Sequence, residues 1–182
     1  MFADPFIRSD AQFKAFVAES LPAASPQVQG AVTSVLYPPV YDGRFGYKND
    51  FERVVVAVSE FVVNCNTWFL ATAYQNATKG YQFSVPPALH GQDVGYTFYA
   101  GSTKAVVDVP EGITNVTVAL TLQKIITSFT KTGDPGSLPG GLAFPTYTSA
   151  GLVANLNQSV INVIPDNANN PRCAFWEQGL FY

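Results

Sequence analysis

The chain has 182 residues, and its 10 Lys+Arg against 13 Asp+Glu give a formal charge of −3. With no basic cluster to neutralise a phosphate backbone or hold an anionic membrane, it is read as having no nucleic acid partner. Only 13% of residues are charged while 14% are aromatic, so either the surface is a neutral Ser/Thr/Asn one or apolar faces are to be covered by chain outside these residues.

The length suits one domain or a large piece of one. Residues 1–6 lack the basic flank, apolar stretch and small-residue cleavage site of a signal peptide. Ser9 followed by Gln12 is a capping-box pattern that opens a helix over 9–21 with Phe13, Phe16 and Val17 on one face. Ser25-Pro26 starts a second helix with Val28, Val32, Val35 and Leu36 inward, stopped by Pro38-Pro39. Asn49 or Asp50 caps a longer helix toward Ala73. Its β-branched run 54–58 favours a strand by propensity, but the apolar stretch is too long for one, and a helix buried nearly all round is expected. That stretch, 54–70, is interrupted by Ser59, Glu60, Asn64 and Asn66 and does not reach the roughly 18 residues of a transmembrane helix.

Residues 81–85 alternate as a strand does and end at Pro86-Pro87. Residues 88–93 come next as a loop beyond a strand end, where open α/β sheets place ligand-facing groups. Thr114 can cap a helix with Val118, Leu122, Ile125, Ile126 and Phe129 inward, ended by Gly133 and Pro135. Residues 133–141 read as a loop, 145–152 as extended, 159–164 as a short strand and 172–180 as a terminal helix. Helices outnumber strands, in the mixed order of an α/β protein.

For chemistry, one His and two Cys are too few for a zinc site, which needs three or four ligands including carboxylates in register, so no metal is expected. No Gly-rich loop has Rossmann or P-loop spacing, so no cofactor is expected either. The Gly-x-Ser-x-Gly elbow of serine hydrolases is absent; Ser102 and Ser137 each lack the glycine two residues before. Asp93, Asp108 and Glu111 form no recognisable glycosidase pair. His90 is therefore the one side chain whose ordinary pKa suits proton transfer near neutral pH, though a lone histidine is more often structural. Cys65 and Cys173 are either a single bridge, which suits an oxidising compartment, or two buried thiols. The sequons at Asn76, Asn115 and Asn157 are too close to chance to carry weight alone.

Pro87-Ala88-Leu89-His90-Gly91-Gln92-Asp93, followed by Tyr96-Thr97-Phe98-Tyr99, resembles the histidine loop of the type-B carboxylesterases, cholinesterases and fungal lipases. Upstream, Asp50-Phe51, then 61–67 and 71–74, resemble the helical stretch before that loop. Downstream, 122–129 with Gly133-Asp134-Pro135, then Phe144-Pro145 and Tyr147, and finally Arg172-Cys173-Ala174-Phe175-Trp176, resemble the family's closing segments in order. The likeness runs over nearly the whole chain.

The resemblance implies the C-terminal portion of an α/β-hydrolase fold, with 1–182 part of a single domain whose N-terminal half carries the nucleophile. It implies His90 as the histidine of a Ser-Glu-His triad, Asp93 as an acidic residue supporting it, and Cys65 and Cys173 as a disulfide. The triad glutamate, in a Glu-Gly motif, is expected immediately before a segment like Phe2-Ala3. The implied activity is hydrolysis of small-molecule or lipid esters by a secreted, glycosylated, full-length protein without a transmembrane segment, with this chain inactive alone. The alternative is a non-catalytic cholinesterase-like binding or adhesion module.

Overall fold

The computed structural model describes residues 6–74, 77–104 and 112–181. The chain divides into two compact units, 1–70 with 167–182, and 71–166. The sequon Asn76 and the acidic residues Asp108 and Glu111 lie outside the described residues.

In the first unit, α1 (Asp10–Ser20) is capped by Ser9, whose hydroxyl accepts from the Gln12 N–H at 3.3 Å, and it buries Phe13 and Val17. Helix α2 (Pro26–Ala31) starts at the Ser25 cap and first-turn proline that the sequence announces, then continues as a π turn over Val32–Leu36. That wide turn adds a residue and rotates the side chains after it about the helix axis. Val32 and Thr33 point inward, while Val35, expected inside, is 68% exposed, and Leu36 is only partly buried.

Asn49 caps α3 (Asp50–Ser59), accepting from Glu52 N–H at 2.9 Å. A second π turn, Glu60–Asn64, joins it to α4 (Cys65–Ala73). The joined helix is not buried all round. Arg53, Val54, Ala57, Glu60 and Cys65 make one buried stripe, and Leu70 is 59% exposed. Apolar composition by itself suggests burial on every side, whereas packing uses one face. The helix Asp50–Ala73 is long and apolar enough to cross a membrane by length and composition, which is weak support because the core helix of a soluble protein passes the same test. Its Arg53 and Glu60 form ion pairs with Asp10 and Arg172 inside the unit.

The short terminal helix α7 (Pro171–Trp176), capped by Asn170, ends before the expected 180 and is tied to α4 by the disulfide Cys65–Cys173. Phe13, Val17, Val32, Tyr37, Tyr47, Val54 and Trp176 form this unit's core.

The second unit is built on a three-stranded sheet in the order β1 (Tyr81–Phe83), β2 (Leu152–Leu156), β3 (Ile161–Pro165). β1 and β2 run parallel, with Tyr81 opposite Ala154 and Phe83 opposite Leu156. A parallel pair needs a crossover, and helices α5 (Gln92–Thr97) and α6 (Val116–Thr132) lie in that connection. β2 and β3 are antiparallel, from Leu152 opposite Pro165 to Leu156 opposite Ile161.

Several expectations shift here. β2 has no counterpart in the sequence reading, because the run Leu152–Leu156 contains Asn155 and little β-branching. α6 is capped by Asn115, not Thr114: the Asn115 carboxamide oxygen accepts from the N–H groups of Thr117 and Val118 at 2.9 and 3.3 Å. Its buried line is Val118, Ala119, Thr121, Leu122 and Ile125, and Phe129, expected inward, is 51% exposed. Gly133 ends the helix at φ +74, a left-handed turn that favours glycine.

Candidate functional site

β1 delivers the chain into a tightly closed turn. Ser84 N–H donates to Leu156 O at 2.9 Å, and Val85 is fully buried against Tyr96, Val118 and Leu122. The Pro86–Pro87 peptide bond is cis, and Ala88 N–H donates back to Val85 O at 2.8 Å. Ala88 holds φ +56, a left-handed conformation that costs an L-residue about 1–2 kcal/mol. Gly91, at φ +81, then opens α5 as its cap, where a side chain would be strained.

His90 sits on this turn, exposed, directly before Gly91. The expected loop over 88–93 is therefore shorter, since Gln92 and Asp93 already belong to the first turn of α5. The Asp93 Oδ2 accepts from the Tyr81 hydroxyl at 3.1 Å, which draws the start of α5 onto β1. Burial first, and then the neighbouring Asp93 carboxylate, push the Tyr81 hydroxyl up to about 12.

The far end of α5 is held as firmly. Gln123 of α6 donates through Nε2 to the carbonyls of Thr97 and Tyr99 at 3.2 and 2.7 Å. The fully buried Tyr96 accepts at its hydroxyl from Thr114 N–H at 3.1 Å and lies 3.0 Å from the Thr114 Oγ1. Phe98, in contrast, is 77% exposed.

The residues singled out by sequence fall into separate groups. His90 and Asp93 share the β1–α5 corner. The sequon residues Asn115 and Asn157 serve the fold of the same unit: Asn115 caps α6 and donates to Gln158 O at 2.7 Å, and Asn157 donates to Ser84 O at 3.0 Å. Cys65 and Cys173 belong to the first unit, as does an apolar cavity of about 180 Å³ lined by residues that include Phe16, Leu21, Phe61 and Trp176. Ser102 lies in an irregular segment, its Oγ accepting from Lys104 N–H at 3.3 Å, and Ser137 in an isolated antiparallel bridge with Ala143. Among the described residues no group of three His, Cys, Asp or Glu side chains could hold a metal ion.

Sequence reasoning gave no role of their own to Gln92, Gln123 and Tyr81, which carry no charge, although Gln92 stands in the motif around His90. The one signal in reach was the polar Gln92 immediately after a Gly at a helix start. An imidazole on an exposed, tightly defined turn can take a proton from one group and return it to another.

No family model matches the chain. Carboxylesterase patB of Penicillium expansum is 33% identical over 183 residues, an alignment taking in 100% of this chain and 31% of the relative. The chain is similar over its whole length to this fungal carboxylesterase. Carboxylesterase patB of Aspergillus clavatus is similar to the same extent, 32% over 175 residues, covering 96% of this chain and 30% of the relative. This carboxylesterase-like chain thus spans about a third of the length of the curated relatives it matches. Aspergillus niger EstA, in its crystal structure, superposes with a TM-score of 0.77 over 97% of this chain and 37% of that one, at 17% identity. At that identity the likeness is one of fold: helix-rich with a small sheet, as in part of an α/β-hydrolase fold.

Proposed function

We propose that this chain is the histidine-bearing part of a serine carboxylic ester hydrolase, with His90 as general base and acid. The observation that carries the reading is His90 itself: exposed, on a closed turn at the end of a parallel strand, in a chain similar along its whole length to about a third of a carboxylesterase.

The chemistry is that of acyl transfer. A serine hydroxyl passes its proton to the His90 imidazole as its oxygen bonds the ester carbonyl carbon. The imidazolium returns that proton to the departing alcohol as the C–O bond breaks, and the same cycle with water releases the acid and frees the serine. The serine, the glutamate that orients the imidazole and the oxyanion-hole donors come from sequence preceding these 182 residues in the same domain. Asp93 acts at one remove, its bond to Tyr81 holding α5 in place. The substrate is a small-molecule or lipid ester, and the 182-residue chain alone gives no more than background hydrolysis. The Cys65–Cys173 disulfide supports a secreted protein, where such bonds persist.

The test compares the intact protein carrying this chain with the 182-residue chain, using a p-nitrophenyl ester and a fluorophosphonate probe. The intact protein is expected to turn over the ester and take up the probe, and His90→Ala to lower turnover on the order of a thousandfold or more. The isolated chain is expected to do neither. An intact protein that folds but neither hydrolyses nor labels overturns the reading in favour of a binding module. Turnover by the isolated chain that disappears in His90→Ala overturns the claim that it is inactive alone.

A further inference from the structure

We infer that Gln92 is the positioning residue of the His90 turn, its carboxamide clamping the backbone that leads into the histidine. The inference rests on the proposed role of His90 and extends it to a residue that touches neither substrate nor reacting atoms.

Gln92 is one of the few buried polar side chains, at 1% exposure, although it stands at the start of a short surface helix. Both ends of its carboxamide are used. Oε1 accepts from the Leu89 N–H at 3.1 Å, the amide one residue before His90, and Nε2 donates to Pro86 O at 3.3 Å, at the start of the turn. Its own backbone N–H donates to Leu89 O at 3.1 Å. Leu89 is thus held through both its N–H and its C=O by one residue, and with the Ala88 to Val85 bond the turn closes on itself.

Such clamping matters because the turn contains an unfavourable conformation. Ala88 is left-handed, and a strained backbone persists only where its surroundings over-determine it. His90 itself is exposed, on the backbone that this turn holds. A proton-transfer group displaced by about 1 Å loses on the order of a hundredfold in rate, which makes the fixing of this backbone a catalytic requirement.

The experiment uses the intact protein, with kcat measured per folded molecule. Gln92→Leu keeps the volume and removes both bonds; it is expected to lower kcat about tenfold or more with KM within about twofold. Gln92→Glu separates the bonds from packing. Its carboxylate keeps the acceptor for Leu89 N–H but offers no donor to Pro86 O, whereas the protonated carboxyl supplies both. The ratio of its kcat to that of the parent is therefore expected to rise as pH falls.

His90→Ala is the third arm. If it leaves turnover intact, the reading of His90 fails and this inference falls with it. If it abolishes turnover while Gln92→Leu keeps the parent kcat, only the positioning role is overturned. Should Gln92→Leu not fold, a Gln92→Glu variant with parental kcat from mildly acidic to mildly alkaline pH overturns the inference by itself.

Discussion

Arg53 has 0% exposure, yet each nitrogen of its guanidinium meets an oxygen: Nε donates to Tyr37 O, one terminal nitrogen to Thr33 O and the other to Asp10 Oδ1, at 2.8, 2.8 and 2.9 Å. Its plane lies 3.9 Å over the Phe13 ring. Glu60 is the complementary case, accepting from Nε and a terminal nitrogen of Arg172, both at 2.7 Å, from the Tyr37 hydroxyl at 2.6 Å and from Asn170 at 3.1 Å. Breaking such a buried pair from one side leaves an uncompensated charge. Glu60→Ala is expected to cost about 3–5 kcal/mol, read as a shift in the urea midpoint with the slope unchanged. The acid limb is set in part by Asp10. The Lys14 hydrogen bond, against some desolvation and helped by Arg53, holds its carboxyl below the ordinary 3.8. A lowered folded value means that its stability is present above about 3.8 and is lost as pH falls through the lower folded value. Asp10→Asn should therefore lower stability near neutrality and flatten its decline in acid, checked by thermal melts across that range. None of this network was legible in the sequence, where a charged residue inside an apolar helix reads as a solvated position. The place of His90 on a turn beyond β1 was legible, because the residues before it alternate as a strand does and end at Pro86-Pro87. Gln92 was not, because its partners are backbone atoms that a folded turn brings to it.

Helical periodicity located α1, α3, α6 and their caps to within a residue or so, since capping side chains and proline act locally. It failed on which faces are buried, and the π turns explain much of that. In the first, Tyr37 N–H donates to Val32 O five residues back, at 3.0 Å, and in the second, Cys65 N–H donates to Glu60 O. The first ends beside Tyr37 and the second begins at Glu60, so the two wide turns flank the Tyr37–Glu60 hydrogen bond. A pattern with 3.6 residues per turn assigns Val35 to the interior; one added residue hands that place to Tyr37. Val35→Thr is accordingly expected to change stability by less than about 0.5 kcal/mol. Tyr37→Phe leaves the Trp176 indole N–H, now 3.0 Å from the hydroxyl, without its acceptor and should cost about 1–3 kcal/mol. Equal effects of the two changes in denaturant titrations would contradict the rotated phase. The disulfide between α4 and α7 closes a separation of 108 residues, long enough for the chain-entropy model to assign about 4–5 kcal/mol. Reduction, or Cys65→Ala with Cys173→Ala, should lower the melting temperature of the first unit accordingly.

In both units tyrosine hydroxyls work as hydrogen-bond donors, which makes alkaline pH the condition that strains each unit. In the first unit, burial raises the Tyr37 hydroxyl strongly, with the Glu60 carboxylate adding to it, and burial pushes Tyr47, which donates to Pro38 O at 2.6 Å, up to about 12. In the second, burial and Asp93 bring Tyr81 to about 12, and burial with the Asp166 bond raises Tyr147. Each folded value lies above the ordinary 10.0. The unfolded chain therefore gives up these protons first as pH rises, so the stability they contribute is complete below about 10 and is lost as pH climbs through 10 toward the raised folded values. Tyrosinate absorbance and circular dichroism recorded together should show these phenols ionising with unfolding, in a cooperative step displaced upward from 10. Tyr47→Phe and Tyr81→Phe should each weaken the pH dependence in that window, the first through the unit with the disulfide and the second through the unit that carries His90. Smooth ionisation centred near 10 with the dichroism unchanged would mean that these hydroxyls are not held as the structure has them.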